Sequence, residues 1–255
     1  MTIRLFSRLH IFLTLLSLGL FEVASLTEVR GEGLSTLIPQ FEKALNNNRS
    51  GELLLKKLIK EGEFASEQIS RYSKFKSIFP NARWLIKRSS DLKDGSKTFL
   101  IKITGKSQSG LHNYAFESKQ LVLLKVEGGK LIGQELLSEE SILKSGDSPF
   151  PLTLQIPDIV LTGSKYDFDI ILEEPLGDAI IAGGLVDIPL ENAKDLLSPD
   201  IQLLPLYGGG MFKSVKAPID PGKQIWAALL VHPDGLIAVT KTIKIVADQE
   251  DLIAN

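Results

Sequence analysis

Cysteine is absent from the sequence, which removes disulfides and thiolate metal sites from consideration. Histidine is almost as scarce, with three in the whole chain. A Ser-His-Asp group needs one of them in a buried, partnered setting. A basic excess is missing too: Lys and Arg number 29 against 31 Asp and Glu, a net charge of −2. Nucleic-acid binding needs a cationic face that displaces counterions, so the overall balance argues against that partner. Past the N-terminal segment, no apolar run is long enough to cross a bilayer as a helix, for which ~20 residues are needed. An exported domain without disulfides has to rely on the size of its core.

What is present begins with residues 1–25, MTIRLFSRLHIFLTLLSLGLFEVAS. Arg4 and Arg8 form a positive start, Ile11 to Phe21 an apolar stretch, and Val23-Ala24-Ser25 a small-residue cleavage site. That layout predicts a secretory signal peptide, or an uncleaved N-terminal anchor if the cut fails. Its removal takes away Arg4, Arg8 and Glu22 and leaves the balance slightly more acidic. The remainder is expected to be soluble and to touch a membrane only through the N-terminal segment, if that stays uncleaved.

The rest of the chain has two grammars. Leu37, Ile38, Phe41 and Leu45 repeat at helical spacing, as do Leu54, Leu55, Leu58 and Ile59, then Ile69, Tyr72, Phe75 and Phe79. Ser50 is the expected cap of the second helix, Gly62 its end, and Ser66 the start of the third. After Pro80 the period falls to 2: Trp84 and Ile86, then Phe99, Ile101 and Ile103, then Tyr114 to Val126, then Leu131–Leu137. Asp94-Gly95 and Gly128-Gly129 are hairpin signals. Three helices and an antiparallel meander predict an α+β domain, with the helices packed on a curved sheet. The small, polar KSGDSPFP of Lys144–Pro151 reads as a linker, with a boundary near Asp147. Beyond it, short strands recur about every ten residues, with one weak helical stretch at Leu190–Leu197. This predicts an all-β sandwich over 147–248 after an α+β domain over 34–146. His232-Pro233-Asp234-Gly235 suits a type I turn between two strands, and Ile225–Val231 is apolar on both faces, as a covered central strand should be.

The most motif-like segment is LYGGGMFKS, Leu206–Ser214. A phosphate loop needs G-x-x-x-x-G-K-[ST], and counting from Gly208 or Gly209 the sixth position is Lys213 or Ser214. A dinucleotide fingerprint fails at Lys213 as well. The run is therefore expected to bend with positive φ or to pass close over a neighbouring strand. His112 and His232 both fall in predicted turns. Asp167 and Asp169 share one face of a strand and are the candidate calcium ligands, but calcium takes six to eight oxygens and only two are visible. Glu135, Glu139 and Glu140 could do paired-carboxylate acid/base work, but nothing fixes their separation, and they read as a solvated helix start or strand end. Tyr72, Phe75, Trp84, Tyr114 and Phe116 could line an apolar pocket between helices and sheet, or could simply fill the core. No catalytic residue, metal site or cofactor is expected.

The order of elements over Leu34–Leu143, with FPNARWLI, DGSKTFLIKITG and LVLLKVEGGKLIGQEL, resembles the nuclear transport factor 2-like (SnoaL-like) cone fold. Enzymes of that superfamily commonly place Asp, His or Tyr in the cone; here no histidine falls on a predicted cone element. PGKQIWAALLVHPDGLIAVTKTIKIV is similar to the last hairpin of bacterial immunoglobulin-like and fibronectin-like modules. With IPDIVLTGSKYDFDIILEEPLGDAIIAGGL and PLYGGGMFKSVKAP, the whole chain resembles a cyanobacterial exported protein family of unknown function. These resemblances imply the periplasm or thylakoid lumen. The expected role is a non-catalytic two-domain binding or scaffold protein that takes an envelope protein partner or a small apolar ligand. The alternative is a cone-pocket isomerase or hydrolase using Tyr114 or the Asp91/Asp94 pair.

Overall fold

The computed structural model describes residues 33–110, 112–146, 151–173, 181–188, 201–206 and 208–249. The expected signal peptide, the Leu190–Leu197 helix and the boundary near Asp147 lie outside the described residues. The class is α+β: three helices, α1 (Leu34–Leu45), α2 (Gly51–Leu58) and α3 (Glu63–Ile78), precede a largely antiparallel β structure. None of the described helices is long and apolar enough to cross a membrane.

The strands are β1 (Arg83–Arg88), β2 (Thr98–Ser109), β3 (His112–Glu127), β4 (Lys130–Gly146), β5 (Leu152–Gln155) and β6 (Ile159–Leu161). They continue with β7 (Lys165–Leu172), β8 (Ile181–Ile188), β9 (Leu204–Leu206), β10 (Gly210–Lys216), β11 (Gly222–His232) and β12 (Gly235–Val246). The chain divides into two compact units. The first runs to Ser107 and takes in Phe116–Leu137; the second holds Gln108–Ala115 and everything from Ser138 onward.

In the first unit the helical stripes form as expected, with Leu34, Leu37, Phe41, Ala44 and Leu45 of α1 buried together. The caps differ from expectation. Ser50 holds the N-cap position of α2 but its side chain makes no capping bond; Asn47 Oδ1 instead accepts the N–H groups of Arg49 and Ser50 and the Ser50 hydroxyl. Gly62 precedes α3 rather than ending α2, and its φ of 150° is one that a side chain rarely adopts. Ser66 lies inside α3 and donates back to the Gly62 carbonyl. Trp84 and Ile86 of β1 alternate inward and pair with Ile103 and Ile101 of β2. Gly128 and Gly129, both at positive φ, make the two-residue turn from β3 to β4.

β1 is an edge strand whose outer side α1 covers. Trp84 N–H donates to Asn46 Oδ1 at 3.0 Å, and Asn46 Nδ2 donates to the Trp84 carbonyl at 2.8 Å. Ile86 N–H donates to Glu42 Oε2 at 2.6 Å. A side-chain amide thus stands in for the missing strand, and the edge offers fewer free groups for aggregation.

β4 runs well past the expected Leu131–Leu137, to Gly146. Leu136 and Leu137 are both buried, so one extra buried side chain interrupts the alternation there, and the odd-numbered positions that begin with Leu131 and Gly133 stay inward beyond it. From that point the inward positions are Leu137, Glu139, Ser141, Leu143 and Ser145. The reading of Glu139 as part of a solvated strand end is therefore corrected: it is 3% exposed, and its Oε1 accepts the Ser141 hydroxyl.

In the second unit the pairing order is β4-β12-β11-β8-β9, with β6 parallel to β12. A separate sheet runs β10-β7-β5. β11 lies between β12 and β8 and is buried from Gln224 to Leu230, as a central strand apolar on both faces should be. Pro233-Asp234 links it to β12 with no positive φ, consistent with a type I turn. Tyr166, Phe168 and Ile170 of β7 and Met211 and Val215 of β10 share one buried cluster with Trp226, Ala228, Ile237 and Ile243 of β11 and β12.

Candidate functional site

The expected aromatic pocket residues are gathered in part. Tyr72, Phe75, Trp84 and Phe116 belong to the first unit and are buried. Tyr114 is half-buried and belongs to the second. The four pack ring against ring. Phe75 meets Trp84 edge-on at 5.3 Å and Phe116 at 5.2 Å, Tyr72 meets Trp84 at 5.8 Å, and Phe79 joins Phe116 at 5.7 Å. Edge-to-face packing at these separations fills space with ring carbon, the arrangement of a core.

Polar groups pin this cluster at its rim. Tyr72 Oη donates toward the Leu45 and Asn47 carbonyls at 3.3 Å, and burial, with Glu52 nearby, raises its pKa. Lys76 Nζ lies 5.0 Å over the Trp84 ring and donates to Asn48 Oδ1 and to the carbonyls of Pro80 and Ala82. Burial, then the charge of Arg83, lowers the Lys76 pKa. The lysine closes the C-terminal end of α3, where a cation suits the helix dipole.

The remaining sequence candidates lie apart. Asp91 accepts from Arg88 and Lys97, whose hydrogen bonds hold its carboxyl below the ordinary range. Asp94 Oδ1 takes the Ser96 N–H within the β1–β2 loop. His232 Nδ1 accepts the Asp234 N–H in its turn, and His112 is exposed at the start of β3. Asp167 and Asp169 do share the outer face of β7, but among the described residues no group of three or more His, Asp or Glu is placed to hold a metal ion.

The glycine run behaves as a close approach. Gly209 and Gly210 are not at positive φ. Gly210 opens β10, and a Cβ there would lie 2.0 Å from the Ile170 carbonyl oxygen. Gly209 accepts the Leu172 N–H at 2.6 Å, and Gly210 N–H closes a tight turn onto the Gly208 carbonyl.

Two polar constellations escaped the sequence reading. Trp226 Nε1 donates to Tyr166 Oη at 2.8 Å, Tyr166 Oη donates to Gln224 Oε1 at 2.7 Å, and Gln224 Nε2 donates to Asp187 Oδ2 at 2.7 Å. This chain runs from an exposed carboxylate to a buried indole. Desolvation, reinforced by the Asp187 charge and only partly offset by the Trp226 N–H, pushes the Tyr166 pKa up to about 12. The phenol is thus held as a neutral donor, which suits a structural link better than a base. In the other constellation Lys241, 3% exposed at its side chain, gives Nζ to Asp158 Oδ1 at 2.6 Å and to Glu140 Oε2 at 3.2 Å. Two carboxylates around one buried cation meet its need for paired charge. Burial also keeps that amine from any substrate. The alternation of Tyr166 with Phe168 and Ile170 was a signal that the tyrosine faces inward and must find a partner; nothing in the sequence named Gln224.

Residues 147–246 match the model of a family described as a domain of unknown function, DUF8623. The match begins directly after the last residue of β4. No curated protein matches the chain.

Proposed function

We propose that the protein is an exported, non-catalytic two-domain binding or scaffold protein, acting in the periplasm or thylakoid lumen by holding an envelope protein partner. The first half is taken as a nuclear transport factor 2-like cone and the second as an immunoglobulin-like sandwich. The packed aromatic cluster supports a solid cone, which moves binding from an interior pocket to the surface.

One observation carries the reading. Leu172 N–H donates to the Gly209 carbonyl and Ala217 N–H to the Ser164 carbonyl, so the odd-numbered residues of β10 turn their backbone toward β7. The N–H and C=O groups of Phe212 and Ser214 then point along the opposite edge. Among the described residues no strand pairs with that edge. Phe212 is 63% exposed on the outer face. An edge with free backbone groups and one large apolar side chain is what strand addition uses.

The test is site-specific photo-crosslinking in cells. A photoreactive residue at Phe212 is expected to give one discrete adduct, whereas the same residue at exposed Leu53 gives none. Ser214→Pro removes an outward N–H without breaking the β10–β7 ladder, so it should abolish the adduct at little cost in stability. Absence of an adduct at 212, or identical products at 212 and 53, would overturn the proposal. A cone-pocket enzyme acting on a small apolar ligand draws less support, because Asp91 is tied into ion pairs and Asp94 into its own loop.

A further inference from the structure

The face of β1, β2 and β3 turned away from the aromatic core carries a concentration of positive charge that the near-neutral composition hides. Inward positions are Trp84 and Ile86 on β1, and Phe99, Ile101 and Ile103 on β2. The alternate positions are Arg83, Leu85 and Lys87, then Leu100, Lys102, Thr104 and Lys106. The register sets Lys87 opposite Leu100, Leu85 opposite Lys102 and Arg83 opposite Thr104. Arg83, Lys87, Lys102 and Lys106 are all exposed, and none has an ion pair or side-chain hydrogen bond among the described residues. On β3 the same alternation adds Lys119 and Lys125. It also adds the carboxylates Glu117 and Glu127, of which Glu127 is already engaged by Lys60.

Neighbouring strands lie about 4.8 Å apart and alternate residues roughly 7 Å apart. The four unengaged cations therefore fall within about one to two Debye lengths of each other, and an anionic partner feels them together. Leu85, 43% exposed, and the half-buried Leu100 lie between them. The array is spread over a sheet face rather than converged on a point, so it does not suit a single small anion. It suits a planar array of negative charge with an apolar layer beneath.

We propose that this face is a docking surface for anionic lipid headgroups, with Arg83, Lys87, Lys102 and Lys106 on the phosphates and Leu85 and Leu100 reaching the acyl boundary. It is a second contact with the membrane, distinct from the N-terminal apolar run Ile11–Phe21 and from the β10 edge. Basic residues near an anionic bilayer each add to the partition coefficient, and several acting together are needed for stable attachment.

The experiment is vesicle flotation of the full chain with phosphatidylcholine alone or with about one-third phosphatidylglycerol. Because the N-terminal run can bind either, the readout is the ratio between the two. At low salt the ratio is expected to exceed tenfold and to collapse at high salt. The combined Arg83→Gln, Lys87→Gln, Lys102→Gln and Lys106→Gln variant should lose the preference, while Lys165→Gln with Lys216→Gln keeps it. Should the fourfold variant fold poorly, the absence of cysteine makes Leu85→Cys a unique labelling site. A bimane there should shift to the blue with the anionic vesicles only. No lipid preference, a preference that survives the fourfold change, or an unshifted label would overturn the proposal. So would binding to polyglutamate through the same four residues without any vesicle preference, which would assign the face to an acidic protein.

Discussion

Replacing Tyr166 by Phe should cost far more than the loss of one oxygen suggests. The hydroxyl accepts from Trp226 Nε1 at 2.8 Å and donates to Gln224 Oε1 at 2.7 Å. Trp226 is 4% exposed and Gln224 7%, so neither can turn to water. Each net hydrogen bond is worth about 1 kcal/mol, and a buried group left unpaired loses about 1–3 kcal/mol more. The variant should therefore be destabilised by roughly 2–4 kcal/mol in urea unfolding, followed by far-UV circular dichroism and tryptophan fluorescence. A pH series gives an independent readout. With a folded pKa near 12 against about 10 unfolded, the folded state holds the phenolic proton more tightly. That stability is fully present below pH 10 and is lost as the pH rises toward 12. From pH 9 to 11.5 the wild-type chain should lose about 2 kcal/mol that the Phe variant does not lose. Combining Tyr166→Phe with Gln224→Met removes both partners of one bond, so the double variant should cost less than the sum of the singles by about 1 kcal/mol. A Phe variant within ~0.5 kcal/mol of wild type, or strictly additive singles, would refute the reasoning.

The glycine run gives a sharp contrast: Gly210→Ala drives a Cβ into the Ile170 carbonyl and should cost roughly 2–3 kcal/mol, while Gly208→Ala, with open space around it, should stay within about 0.5 kcal/mol by thermal melt. Asn46→Ala strips two bonds from the outer side of β1 and should cost roughly 2 kcal/mol and raise aggregation measured by light scattering. Asn46→Asp should not restore stability, because a carboxylate cannot donate to the Trp84 carbonyl.

Where period and turn chemistry agree, the sequence sufficed. The α1 stripe, the Gly128-Gly129 turn and the β11–β12 hairpin follow from local spacing and from residues that tolerate only certain dihedrals. The α2 cap was legible in position only: Ser50 stands at the N-cap of α2, but its hydroxyl goes to Asn47 Oδ1 rather than to the helix. Glu139 was misread because β4 continues past Leu137, where the reading ended it, and Glu139 keeps the inward parity of Leu131 and Gly133. The Tyr166–Gln224–Asp187 chain and the Lys241 cluster join positions dozens of residues apart, and periodicity says nothing about such pairings. Of the expected pocket, four aromatics were identified as neighbours, and Tyr114 falls to the other unit.

The strand β4 bears on how this protein could be taken apart. Its residues Glu139 to Gly146 pair with β12, and Glu140 supplies one of the two acids around Lys241. A fragment trimmed to the matched residues, 147–246, would leave that ladder flank bare and a sequestered ammonium with half its counter-charge. A recombinant piece that keeps this ladder and both acids around Lys241 should therefore start no later than Ser138.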